Sequence, residues 1–135
     1  MSRTRLRGAA LAAAWLAASG AFAQEAAEPR IKQAQEAARA NAASAEGRAW
    51  LKSHSSAIDR LMIVVLNECL PEDSADIPTV FTVYVRLART GQVREMLTEL
   101  DKALGPCMSA AAQKSAFPAA PRDDYWVAVN MAAPL

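Results

Sequence analysis

An α+β fold is predicted, with helices packed on one face of a three-stranded antiparallel sheet in the order α-β-β-α-β, preceded by a signal peptide and an Ala-rich helix. Three observations carry this reading. Apolar residues recur at three- and four-residue steps from Trp50 to Cys69, which is the spacing of one helix face. Phe81, Val83, Val85 and Leu87 alternate with Thr82, Tyr84 and Arg86, the period-two pattern of a strand with one buried side. The same alternation returns from Tyr125 to Met131.

The amino terminus comes first. Arg3, Arg5 and Arg7 stand without a neighbouring acid, an apolar run follows from Ala9 to Ala18, and Ala21-Phe22-Ala23 precedes polar Gln24. A basic segment, a short apolar core and small residues at the A-x-A positions are the requirements of a secretory signal, so residues 1–23 read as a signal peptide cleaved after Ala23. The apolar run stops at Ser19-Gly20, short of the roughly 20 residues a bilayer span needs. No retained membrane anchor is therefore expected. No cysteine awaits a lipid at the cleavage point, and the arginines are not adjacent as a twin-arginine signal requires. Export by the general secretory pathway and a periplasmic address follow.

Composition narrows the function classes. A mature chain of about 112 residues has room for one core and not two. Across the whole chain 15 basic residues face 14 acidic ones, and loss of the three signal arginines leaves the product slightly acidic. That balance argues against nucleic acid and anionic membrane as partners. Cys69 and Cys107 survive cleavage, and two cysteines in an oxidising compartment are expected to pair. Closing a loop of that span stabilises a fold by about 4 kcal/mol in the chain-entropy account, less any native strain. A redox pair usually has C-x-x-C spacing, which is absent, so the bridge reads as structural.

The mature elements follow in order. Residues 24–47 form an Ala-rich arm of good helix formers with almost no large apolar residue after Ile31. It is either a loosely docked helix or a partly disordered arm; helix is the reading taken, with Gly47 as its break. Residues 48–135 form the α+β domain. Its first helix carries Trp50, Leu51, Ile58, Leu61, Met62, Val65, Leu66 and Cys69 and ends at Pro71. β-branching alone would also allow a strand over Leu61 to Leu66, but continuity with the earlier spacing favours helix. Pro71 to Pro78, with two prolines and three acids, reads as a loop. After the strand from Phe81 to Leu87, Arg89-Thr90-Gly91-Gln92 offers a glycine where a hairpin needs positive φ. Val93 to Leu100 is the return strand, and its ambiguous facing suggests a bulge. Gly105-Pro106 reads as a helix start with proline at the first helical position. That helix ends near Lys114, and the proline-rich Phe117 to Pro121 leads to the last strand.

Hairpin glycine, a helix bearing Cys107, Phe117-Pro118 and an aromatic closing strand together resemble the TonB C-terminal-like domains, and more narrowly the small exported variants related to the AgmX/PglI type. The resemblance covers roughly residues 66 to 132, and it rests on the order of these features. It implies a binding module whose exposed sheet edge accepts a peptide strand. The family's energy-transducing role is not implied, because no retained anchor is expected here and the sequence holds no long proline-rich span.

Candidate site residues follow from facing. With Val127, Val129 and Met131 inward, Trp126 and Asn130 share the other sheet face with Tyr84 and Arg86, an interface-like set. The plainer alternative is that Trp126 covers the sheet edge or packs against the amino-terminal helix. No catalytic residue, metal site or cofactor is expected: His54, the lone histidine, lies among serines on a helix, and Glu68, Glu72, Asp73 and Asp76 lack calcium-loop spacing. The leading expectation is a non-enzymatic periplasmic protein-interaction module for an envelope protein or peptide. A self-associating structural or chaperone-like envelope protein is the alternative, and the oligomeric state is left open.

Overall fold

The computed structural model describes residues 19–70, 80–100 and 103–132, with side chains from residue 28 onward. The expected signal peptide falls outside this range except for the backbone of residues 19–23. Glu72, Asp73 and Asp76 of the expected acidic loop lie outside it as well. The elements are α1 (Ser19–Ala43), α2 (Ala45–Cys69), β1 (Val80–Leu87), β2 (Val93–Thr98), α3 (Leu104–Ala112) and β3 (Tyr125–Ala132). The order expected from the sequence is the order observed, a mixed α+β domain.

β1 is the central strand of an antiparallel sheet ordered β2-β1-β3. Its inward residues Phe81, Val83, Val85 and Leu87 stand between Val93 and Met96 of β2 and Tyr125, Val127, Val129 and Met131 of β3. Trp50, Ile58, Met62, Val65 and Leu66 of α2 cover this face, together with Leu104, Met108, Ala111 and Ala112 of α3. Periodicity on both sides makes this one continuous core. β2 carries the bulge that its ambiguous facing suggested. Arg86 pairs with Glu95 and Leu87 with Val93, so Arg94 is the extra residue.

Local chemistry sets the joints. The hairpin turns through Gly91 at φ 89°, with Ala88 N–H donating to the Gln92 carbonyl at 2.8 Å. A side chain at Gly91 would collide with the Phe117 carbonyl, so the Phe117-Pro118 segment is packed directly onto the turn. Ala120 N–H then donates to the Arg89 carbonyl at 3.1 Å. Trp50 ties α2 to the same segment: its indole N–H donates to the Ala119 carbonyl at 2.7 Å, and its ring meets Tyr125 edge-on at 5.4 Å. Cys69, the last residue of α2, is bonded to Cys107 of α3 (S–S 2.09 Å).

Two details differ from the sequence reading, and one alternative it left open is decided. α1 ends at Ala43, four residues before Gly47, and is followed by Ser44, whose hydroxyl donates to the Asn41 carbonyl at 2.8 Å and accepts from Gly47 N–H at 2.9 Å. One side chain therefore closes α1 and caps α2. Gly47 sits inside the first turn of α2, where a Cβ would strike the Asn41 carbonyl. Pro106 is the third residue of α3 and not the first; an N–H there has no intrahelical acceptor, so proline costs nothing. The Ala-rich arm is a docked helix. While α2 and α3 share the core face of the sheet, α1 lies across the opposite face, with Ile31, Ala34 and Ala38 packed against Tyr84, Leu97 and Trp126.

Candidate functional site

The site begins with the direction of the backbone groups of β3. In an antiparallel ladder successive residues point their N–H and C=O alternately to the two neighbours. The Thr82 carbonyl accepts from the Thr98 hydroxyl at 3.1 Å, so it points toward β2, and its neighbour Val83 points toward β3. Val83 pairs with Val129, so Val129, Val127 and Tyr125 are the residues bonded to β1. Trp126, Ala128 and Asn130 consequently turn their main-chain groups to the outer edge of the sheet. The Trp126 carbonyl is met there by the Asn41 side-chain amide at 3.0 Å. The main-chain groups of Ala128 and Asn130 have no protein partner among the described residues.

The opposite edge is guarded. On β2 the Met96 N–H donates to the Ser109 hydroxyl of α3 at 2.9 Å, and Gly105 lies against the Met96 carbonyl. α3 thus covers the β2 edge, whereas among the described residues nothing pairs with the main chain of the β3 edge beyond Trp126. Edge strands with unpaired main-chain groups are templates for a further strand unless they are blocked.

A cleft of about 260 Å³ runs along that open edge. α1 forms one wall with Gln35, Ala38, Arg39 and Asn41; Leu51 of α2 stands on the other side of β3. Its floor is small at Ala128, which leaves space beside Tyr84. Among the described residues Arg39 is the only charged side chain in the lining, and it has no ion-pair or hydrogen-bond partner there.

The four residues expected to form an outward face do share one side of the sheet, but that side is not open. Tyr84 is only 7% exposed, and Trp126 is half-buried under α1. Small alanines let the helix approach closely enough to cover both rings. Arg86 is held between Glu95 (3.3 Å from its Nε) and Asp124 (2.9 Å from a terminal nitrogen), with its guanidinium 5.9 Å from the Trp126 ring. Asn130 alone remains exposed, its side-chain oxygen accepting from the Thr82 hydroxyl at 2.9 Å. His54 lies on α2 against the Trp50 ring, 5.3 Å between centroids.

Electrostatics pin the helix over the sheet. Two of the three guanidinium nitrogens of Arg30 donate to the Glu95 carboxylate, Nε at 2.7 Å. That hydrogen bonding holds the Glu95 carboxyl below its ordinary range against a smaller opposing effect of burial. Burial raises the Tyr84 and Tyr125 phenols. At the other end of α1, Asn41 accepts from Arg122 while donating to Trp126. Comparison with protein-family models, curated proteins and solved structures finds no match for the chain.

Sequence reasoning missed Asn41, Arg39 and Ala128. Asn41 is buried and polar within an otherwise Ala-rich helix, and that contrast was the available signal. Arg39 and Ala128 acquire meaning only when α1 is laid beside β3.

Proposed function

We propose that this chain is an exported, non-enzymatic protein-interaction module of the bacterial periplasm, which binds an extended strand of an envelope protein or peptide along the free edge of β3. The observation that carries the reading is the unpaired main-chain edge at Ala128 and Asn130, adjoining a cleft. Strand addition draws its affinity from such main-chain groups and its specificity from the neighbouring pockets. Two sequence features support the setting: the signal-like residues 1–23, and the Cys69–Cys107 bridge, which suits an oxidising compartment. The resemblance to TonB C-terminal-like domains supports the same mode of binding.

The test places a photo-crosslinking residue at Asn130, exposed beside the open edge, and a control at His54, in cells exporting the protein. It repeats the first in an Ala128→Pro background. Proline is tolerated on an edge strand whose N–H faces solvent, but it removes the donor an added strand needs. Adducts from Asn130 that vanish with the proline support the proposal. Adducts that persist, or that arise equally from His54, sink it.

The same open edge favours a second reading, self-association as a structural or chaperone-like envelope protein. In that case the adduct is a cross-link between two copies of this chain.

A further inference from the structure

We infer that the strand accepted at the β3 edge alternates apolar and acidic side chains, with the acids facing Arg39; this rests on the strand-binding reading above. Side chains of any added strand point alternately to the two faces of the sheet. The two faces beside the β3 edge differ in chemistry. On the face shared with α2, the cleft wall is the half-buried side chain of Leu51, near Tyr125 and Val127. On the face shared with α1, the wall is Gln35 and Arg39.

Charge decides the second half of the pattern. Among the described residues no aspartate or glutamate lines the cleft, and the Arg39 guanidinium is unpaired. The other arginines around this face are engaged: Arg30 and Arg86 by Glu95, Arg86 also by Asp124, and Arg122 by Asn41 and the Tyr125 ring. A carboxylate entering beside Arg39 gains an ion pair and meets no nearby acid in the lining. A lysine there gains nothing and is repelled. Because Asn41 already occupies the Trp126 carbonyl, the added strand is confined to the stretch from Ala128 onward, which brings only a few of its residues into register with Arg39. Specificity therefore rests on one or two acidic positions.

The experiment uses fluorescence anisotropy with three labelled eight-residue peptides, valine alternating with glutamate, glutamine or lysine. At low salt the glutamate peptide is expected to bind about threefold to fivefold tighter than the glutamine peptide, the increment of one partly exposed ion pair. The lysine peptide should bind weakest. Arg39→Glu, at an exposed position with no partner to lose, should keep its far-ultraviolet circular dichroism and reverse the order of the glutamate and lysine peptides. Ala128→Pro should abolish binding of all three. Equal binding of glutamate and glutamine peptides overturns the acidic preference and leaves the strand-binding reading standing. Binding of none at millimolar concentration overturns both. Displacement of the glutamate peptide by free glutamate would assign Arg39 to a small carboxylate and overturn the strand pattern.

Discussion

The side-chain amide of Asn41 donates to the main-chain carbonyl of Trp126 at 3.0 Å, so the last turn of α1 serves as the terminal hydrogen-bonding partner of the β3 edge. Asn41 is only 7% exposed, and its oxygen accepts from Arg122. A helix whose buried face is mainly alanine gains little from area alone, and the polar contact fixes where it sits.

Asn41→Ala is expected to cost about 1–3 kcal/mol, since it removes the partner of a part-buried carbonyl and leaves Arg122 without its acceptor. The urea midpoint should fall. In the same variant the Trp126 carbonyl becomes available, so hydrogen exchange in β3 should quicken before that in β1. A variant as stable as the parent would show that water satisfies the carbonyl equally well.

Reducing the Cys69–Cys107 bond, or replacing both cysteines by serine, should lower stability by about 2–4 kcal/mol, given the 38-residue separation it closes. The measurement is thermal unfolding with and without reductant. An unchanged midpoint would place the constraint in packing between α2 and α3 instead.

Acid should loosen α1 from the sheet. Glu95 is held below its ordinary range chiefly by its hydrogen bonds from Arg30. A carboxyl with a lowered folded value contributes fully above its unfolded value, near 4.3, and loses that contribution as pH falls through the lowered one. Arg30 is about half exposed, with 47% of its side chain accessible, so solvent screening holds the effect to roughly 0.5–1 kcal/mol. Tryptophan fluorescence below pH 4.5 should report Trp126 leaving α1, and Glu95→Gln should remove that pH dependence. A titration unchanged by Glu95→Gln would assign the acid response to another carboxylate.

Gly91→Ala should be among the most damaging single-methyl additions. Its φ of 89° costs an L residue about 1–2 kcal/mol, and the Phe117 carbonyl occupies the space a Cβ needs. A midpoint shift smaller than that of an alanine at exposed Gln92 would contradict the tight packing of Phe117-Pro118 on the turn.

Much of this architecture is legible in the sequence because large residues mark the core face. Phe81, Val83, Val85 and Leu87 declare β1 by alternation, and the uncertain facing of β2 has its cause in Arg94, the bulged residue. The docking of α1 is not legible in the same way. Its buried apolar residues are Ala34 and Ala38, and alanines on every side of that helix leave no apolar stripe to read. The large surface in this contact belongs to Tyr84, Leu97 and Trp126 on the sheet. Those side chains look outward by strand periodicity, which counts faces and cannot see a second helical layer. The open edge was equally hidden, since it depends on which alternate carbonyls turn away from β1.

Ser44 is a joint one residue long, and it can be made to straighten. Its hydroxyl bonds both the Asn41 carbonyl at the end of α1 and the Gly47 N–H at the start of α2. With that group removed, α1 and α2 can merge into one rod, carrying Ile31, Ala34 and Ala38 away from their own sheet and onto that of a neighbour. Exchange of an identical element is a low-cost route to a dimer. Ser44→Ala is therefore expected to populate a swapped dimer, visible as a doubled mass in sedimentation that dissociates only on unfolding. The swapped dimer would then differ from the monomer in the conformation of a single turn.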